Sequence, residues 1–196
     1  MKMRPLLKMA VIVLALIASF SAVSPAGASG GREPVIRQVQ IKAVYLYNFL
    51  HFISWPDRRK EQVVKVIGVL GDEEMGRSLT ELARRLRQRG RTAIRVILYD
   101  SYRPGLDFSA CRILFIGRSQ ADNFKIILSR LKGQPILTVA DTRNFLGVGG
   151  MIKLVEMGRR IRYQVNLTAA RAAGLRLSSQ LLESALTVIR PGVKED

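Results

Sequence analysis

Few residues of this chain could do chemistry, and they lie far apart. There is one histidine, His51, and one cysteine, Cys111. Nucleophilic catalysis needs a base within hydrogen-bond reach of the nucleophile and a third group to orient that base. No such set can be assembled from His51 and Cys111, which no shared motif connects. His51 sits in an aromatic run with no Cys, Asp or Glu beside it. A lone imidazole of that kind is a weak metal or base candidate and reads as a core or interface histidine. Cys111 heads the apolar run Ile113-Leu114-Phe115-Ile116. It reads as a small buried residue at a strand entry, with a reactive or intermolecular thiol as the alternative. A single cysteine excludes an internal disulfide.

The remaining polar motifs fit structural roles. Gly147-Val148-Gly149-Gly150 has the look of a phosphate loop, but no Lys-Ser/Thr follows and a strand pattern comes next. Gly149 and Gly150 therefore read as a turn needing positive φ or close backbone approach. Asp72, Glu73 and Glu74 follow a strand, where open α/β sheets place ligands, but read rather as a helix N-terminus carrying favourable negative charge. Ser178, with Ser179 after it, reads as a helix N-cap. Asp141 and Asn144 fit a turn. We expect no enzyme, no cofactor and no metal.

The elements around these residues begin with a leader. Lys2, Arg4 and Lys8 precede an apolar run at 9–20 and small residues ending in Ala26-Gly27-Ala28. This is the layout of a signal peptide, residues 1–28, cleaved after Ala28. An N-terminal anchor is the alternative, but the run is short of the roughly 20 residues a bilayer span needs. With no cysteine at the cleavage site, a lipoprotein is not expected. The rest reads as a flexible leader at 29–34, one domain at 35–190 and a polar tail at 191–196.

Charge is strongly basic: 32 Lys and Arg against 15 Asp and Glu, formally +17. Arginines cluster at Arg84, Arg85, Arg87, Arg89 and Arg91. In a cytoplasmic protein this would raise nucleic acid as a partner. An exported protein seldom meets it, so a solvated basic face is expected, or attraction to an anionic membrane surface or acidic partner. No nucleic acid and no stable membrane insertion are expected after cleavage.

Residues 41–56, IKAVYLYNFLHFISWP, are the most aromatic part of the chain. Ile41, Val44, Tyr45, Asn48, Phe49 and Phe52 recur at helical spacing, which predicts a helix over 35–53 ended by Trp55-Pro56. Leu46, Leu50 and Ile53 add a second apolar face. One face is expected in the core and the other, with Tyr47 and Leu50, on a dimer or partner surface. Strands are predicted at 63–70, 93–99, 112–116 and 136–139, with helices at 75–88 and 121–131 between them. That rhythm implies parallel pairing with helices on both faces. Residues 151–156 and 160–166 predict an antiparallel hairpin at a sheet edge, turning at Met157-Gly158-Arg159. Two closing helices are predicted at 167–173 and 178–189. The fold class is a single three-layer α/β domain with a mixed sheet of about six strands.

Three stretches together resemble the YfiR-like (DUF4154) periplasmic proteins. They are IKAVYLYNFLHFISWP at 41–56, CRILFIGRS at 111–119, and the long stretch 136–188. In the last, Gly149-Gly150-Met151-Ile152, Val165-Asn166 and Gly174-Leu175-Arg176-Leu177-Ser178-Ser179 carry the match. The resemblance implies a periplasmic, non-enzymatic regulator that forms homodimers. It implies binding to, and repression of, the periplasmic domain of an inner-membrane signalling protein such as a diguanylate cyclase, with c-di-GMP and biofilm output as the readout. Candidate contact residues are Tyr45, Phe49 and Phe52 on the exposed part of the aromatic helix, and Met151, Gln164 and Asn166 near the hairpin, the region where the resemblance implies the partner surface. Family members carry redox-sensitive cysteine pairs; this chain, with Cys111 alone, departs there. The alternative function is a periplasmic binding protein for a small anionic ligand, motivated by the basic charge and the strand-end crevice of an open sheet.

Overall fold

The computed structural model describes residues 32–56, 64–91 and 94–190. The stretch at 1–28 expected to be a signal peptide, and the tail at 191–196, lie outside the described residues. Helix α1 runs Arg32–Phe52, so it starts inside the stretch expected to be a flexible leader. Pro34 is no obstacle there, because first-turn N–H groups have no helical acceptor to lose.

The other elements follow in order: β1 (Ile53–Ser54), β2 (Lys65–Leu70), α2 (Glu73–Gln88), β3 (Ile94–Tyr99), β4 (Ile113–Ile116), a 3-10 helix (Arg118–Asn123), α3 (Phe124–Leu131), β5 (Leu137–Ala140), β6 (Ile152–Met157), β7 (Arg160–Asn166), α4 (Leu167–Ala172), β8 (Arg176–Leu177), α5 (Ser179–Glu183) and β9 (Thr187–Ile189). Seven strands form one mixed sheet in the order β3-β2-β4-β5-β6-β7-β9. Only β6 and β7 pair antiparallel; every other neighbour is parallel.

Alternation along the strands builds two cores. Ile67, Val69, Ile113, Phe115, Leu137, Val139, Ile152 and Leu154 face α1 and α2. Val66, Leu70, Leu114, Ile116 and Ala140 face α3, whose Phe124, Ile127 and Leu131 are buried there, with Phe108 and Phe145 from loops. Central strands buried on both faces read as unbroken apolar runs, as β4 and, after Lys65, β2 do. The three-layer α/β class stands as predicted.

Two local expectations are corrected. The hairpin β6–β7 is not at the sheet edge, because β9 pairs parallel to β7 through Gln164↔Thr187, Val165↔Val188 and Asn166↔Ile189. The helix predicted over 178–189 ends at Glu183. The β-branched Thr187-Val188-Ile189 suits a pleated edge, and Leu186 N–H donates to the Tyr163 carbonyl at 2.8 Å to start the pairing.

The three stretches that carry the resemblance meet in space. At the end of the first, Ile53 and Ser54 pair with Leu177 and Arg176 of the third in the small β1–β8 ladder. Arg112, from the second, stacks over the Trp55 ring at 5.6 Å. Ser178 caps α5 by accepting from Leu181 N–H at 3.3 Å, and its own N–H donates to the Phe52 carbonyl at 2.9 Å.

Candidate functional site

The most concentrated polar chemistry lies at the carboxyl end of β5. Strand β6 pairs with β5 only at Val139↔Ile152 and Ala140↔Lys153. From Leu154 onward β6 runs past the end of β5 and keeps only β7 beside it. The overhang opens a crevice of about 400 Å³. Asp141 and Thr142 enter it from the end of β5, Arg118 from the start of the 3-10 helix after β4, and Lys153, Val155 and Glu156 from β6.

Beneath the crevice, α1 contributes one charge. Lys42 Nζ donates to Asp141 Oδ2 at 2.5 Å and lies 2.6 Å from Glu156 Oε1. Arg118 Nε donates to Asp141 Oδ1 at 3.1 Å, and its Nη2 to Oδ2 at 3.4 Å. Two cations thus hold two carboxylates. Burial works against the charge on Lys42, but its bonds to Asp141 and Glu156 prevail and hold the ammonium pKa above 10.5. Burial likewise pushes the Asp141 carboxyl up, and Lys42 and Arg118 outweigh it, leaving the group below 3.8.

Sequence reasoning missed this cluster. Asp141 was expected to serve a turn, and Lys42, Arg118 and Glu156 were not singled out. A signal existed: Lys42 is the one Lys, Arg, Asp or Glu between Arg37 and Asp57. A charge fixed within so apolar a helix needs a partner.

The crevice at the topological switch point, between β2 and β4, is filled by the chain itself. Gly117 N–H donates to the Leu70 carbonyl at 2.8 Å, and Ser119 Oγ donates to the Gly71 carbonyl at 2.7 Å. Gln120 is buried and accepts from Tyr102 N–H at 3.0 Å. Asp72, one of the acids weighed for that position, caps α2 by accepting from Met75 N–H at 2.9 Å.

The aromatic helix is placed differently from its expectation. Tyr47, Phe49 and Leu50 are 5%, 2% and 2% exposed, and Met151 is 6% exposed. None of the four presents a surface to a partner. The reason is that α1 lies against α2 as well as the sheet, so its second apolar face is covered within the chain. Tyr45 is half-buried; its hydroxyl donates to the Ile161 carbonyl at 2.9 Å and its ring meets Tyr163 edge-on. Phe52 is half-buried and packs on the same core. Asn166 caps α4, accepting from Ala169 N–H at 3.0 Å. Gln164 is half-buried and donates to Thr187 Oγ1 at 3.4 Å.

His51 is exposed rather than in the core, edge-on to Tyr47. Partial burial, then Lys65 and Arg91, hold its imidazole below 6.5. Cys111 is buried at the entry to β4. Gly149 has φ +101°, and a Cβ on Gly150 would meet the Phe145 ring at 2.3 Å, so the turn tolerates no side chain at either position. In the arginine cluster, Arg84 and Arg85 bind Glu81 at 2.8 and 2.6 Å, holding its carboxyl down to about 2. Among the described residues, no group of three His, Cys, Asp or Glu could hold a metal ion, and no helix is long and apolar enough to cross a membrane.

What stays open is the far face of the hairpin. There Lys153, Val155, Arg162 and Gln164 are half-buried, and at the tip Met157 is 53% exposed.

Among curated protein sequences none matches this chain. Among solved structures, a conserved domain protein from Vibrio cholerae O1 biovar eltor matches with a TM-score of 0.48 and 12% identity, over 76% of this chain. The match spans 60% of that protein's chain. The family DUF4154, described as YfiR/HmsC-like, matches residues 39–185. That span takes in most of α1, all of α2 through α5 and every strand of the main sheet except β9, and so the chain belongs to the YfiR/HmsC-like family, a family of periplasmic regulators of c-di-GMP signalling.

Proposed function

We propose that the chain is an exported periplasmic protein that binds the periplasmic domain of an inner-membrane signalling protein, a diguanylate cyclase in the first instance, and represses it. The family match over residues 39–185 carries this reading. Export would follow from the leader at 1–28. The partner surface is assigned to the open face and tip of the β6–β7 hairpin, with Met157 and Gln164 as contacts. An exposed methionine beside half-buried polar groups is the composition of a patch that can be covered reversibly. Homodimer formation, implied by the resemblance, belongs to the same proposal and is read by light scattering. Repression needs only that the protein bind the inactive form of its partner better than the active one.

The test is capture from membrane extracts with the tagged chain, alongside Met157→Asp, combined with c-di-GMP measurement in a deletion strain. The expected result is recovery of a membrane protein with a cyclase output domain, loss of capture with Met157→Asp, and raised c-di-GMP on deletion. Unchanged c-di-GMP with no such protein recovered would refute the proposal.

A further inference from the structure

The crevice at the end of β5 has a charge pattern that its internal pairing does not use up. Four cations reach it or lie beneath it (Lys42, Arg118, Arg143 and Lys153) against two carboxylates, Asp141 and Glu156. Lys42, at 2.5 and 2.6 Å, and Arg118, at 3.1 and 3.9 Å, together answer both carboxylates inside the protein. Arg118 is 67% exposed at its side chain, and its Nε and Nη2 are the atoms engaged with Asp141. Its remaining donors are open to a second acceptor. Among the described residues, exposed Arg143 makes no ion pair, and Lys153 Nζ makes only a 3.3 Å hydrogen bond to the Arg143 carbonyl. Thr142, also in the lining, has a buried hydroxyl with no hydrogen-bond partner.

Size and place agree with this pattern. The crevice, about 400 Å³, is in the range of small-ligand sites. It lies at the carboxyl ends of parallel strands, where open α/β sheets bind ligands. The neighbouring switch point is plugged by Ser119 and Gln120, which leaves the β5 end as the available position.

We propose that this crevice binds a small organic dianion, a phosphate monoester or a dicarboxylate, through Arg118, Arg143 and Lys153. Even with Asp72 acting on Arg118 from the switch point, the cations outnumber the carboxylates, and a guanidinium offers paired donors to either anion. The inference goes beyond the partner reading and stands without it.

The experiment is thermal unfolding of the purified chain, titrated with inorganic phosphate, glycerol 3-phosphate or succinate at ionic strength held constant with sodium chloride. The expected result is a saturable rise in Tm with glycerol 3-phosphate or succinate, since a ligand that binds only the folded state stabilises it by mass action. In Arg143→Ala and in Lys153→Ala the half-saturation concentration should rise about tenfold, the size expected for one charge-assisted hydrogen bond. Saturation by glycerol 3-phosphate below succinate assigns the phosphate class; the reverse order assigns the dicarboxylate class. Saturation by inorganic phosphate alone overturns the proposal of an organic ligand. The ligand-free Tm of each variant is the folding control. No saturable rise with any probe, or a rise unchanged in the double variant, overturns the proposal. The assay contains no partner, so its failure is separate from failure of the membrane-extract capture.

Discussion

Lys42 Nζ lies 2.5 Å from Asp141 Oδ2, joining α1 to the end of β5 across 99 residues of chain. The two side chains are only 6% and 9% exposed. A buried ion pair is weak evidence of net stabilisation, because desolvation offsets much of the attraction. Its loss on one side is another matter, since the remaining charge stays buried.

Lys42→Met should therefore destabilise the fold by about 3 kcal/mol, the low end of the cost of breaking a buried pair. The low end applies because Arg118 keeps its hydrogen bonds to Asp141. Urea unfolding should show a lower midpoint at unchanged slope. Adding Asp141→Leu to Lys42→Met should recover part of the loss by removing the stranded charge. A double variant less stable than the single one would show that Asp141 has a structural role independent of Lys42.

The same cluster sets a pH dependence. The folded Asp141 carboxyl is held below its ordinary 3.8, so the unfolded chain takes up a proton first as pH falls. The stability it contributes is fully present above pH 3.8 and is lost as pH falls through the folded value. Lys42 is held above 10.5, so its contribution is present below pH 10.5 and is lost as pH rises through the folded value. Between these limits the pair makes stability flat. Comparing urea midpoints of the wild type and Asp141→Asn across pH isolates the acid side: the gap should be constant near neutrality and narrow below pH 3.8. A gap already narrowing near pH 6 would refute the assignment.

The sheet and its covering helices were legible because their signals are local. β4 and, after Lys65, β2 are unbroken apolar runs, and Asp72 and Ser178 cap α2 and α5. The Lys42–Asp141 pair was not legible, because periodicity shows that a residue is on a helix and not what lies 99 residues away. β9 was hidden for a different reason. Its three residues follow directly on a short helical pattern, and only the free side of β7 makes them a strand. The second apolar face of α1 was visible, but a neighbouring helix and a second chain leave the same mark on a sequence.

Gly117 makes the close approach at the switch point. A Cβ there would meet the Gly71 carbonyl oxygen at 2.5 Å. That atom is backbone and is held by the Ser119 hydroxyl, so it has little room to yield. Gly117→Ala should cost about 1–3 kcal/mol, as overpacking does elsewhere. Gly105→Ala is the comparison with no crowding, since a Cβ there meets nothing within 4 Å and only its φ of +94° is strained. If Gly117→Ala melts like wild type, the β2–β4 junction is looser than the geometry indicates.

The placement of α1 leads to the remaining prediction. If one face of the helix served an assembly, replacing Tyr47 or Leu50 would alter association and spare the monomer, while replacing Phe49 would unfold it. The structure places all three in one core with α2, at 5%, 2% and 2% exposure. Tyr47→Ala, Phe49→Ala and Leu50→Ala should each destabilise by about 2–5 kcal/mol, the usual cost of a core truncation. Light scattering under folding conditions should show no selective change in size for Tyr47→Ala or Leu50→Ala. Met157→Asp, at the exposed hairpin tip, should leave the urea midpoint near wild type, because Met157 is 53% exposed. A variant of Tyr47 that keeps wild-type stability and loses assembly would return the helix face to the role of an interface.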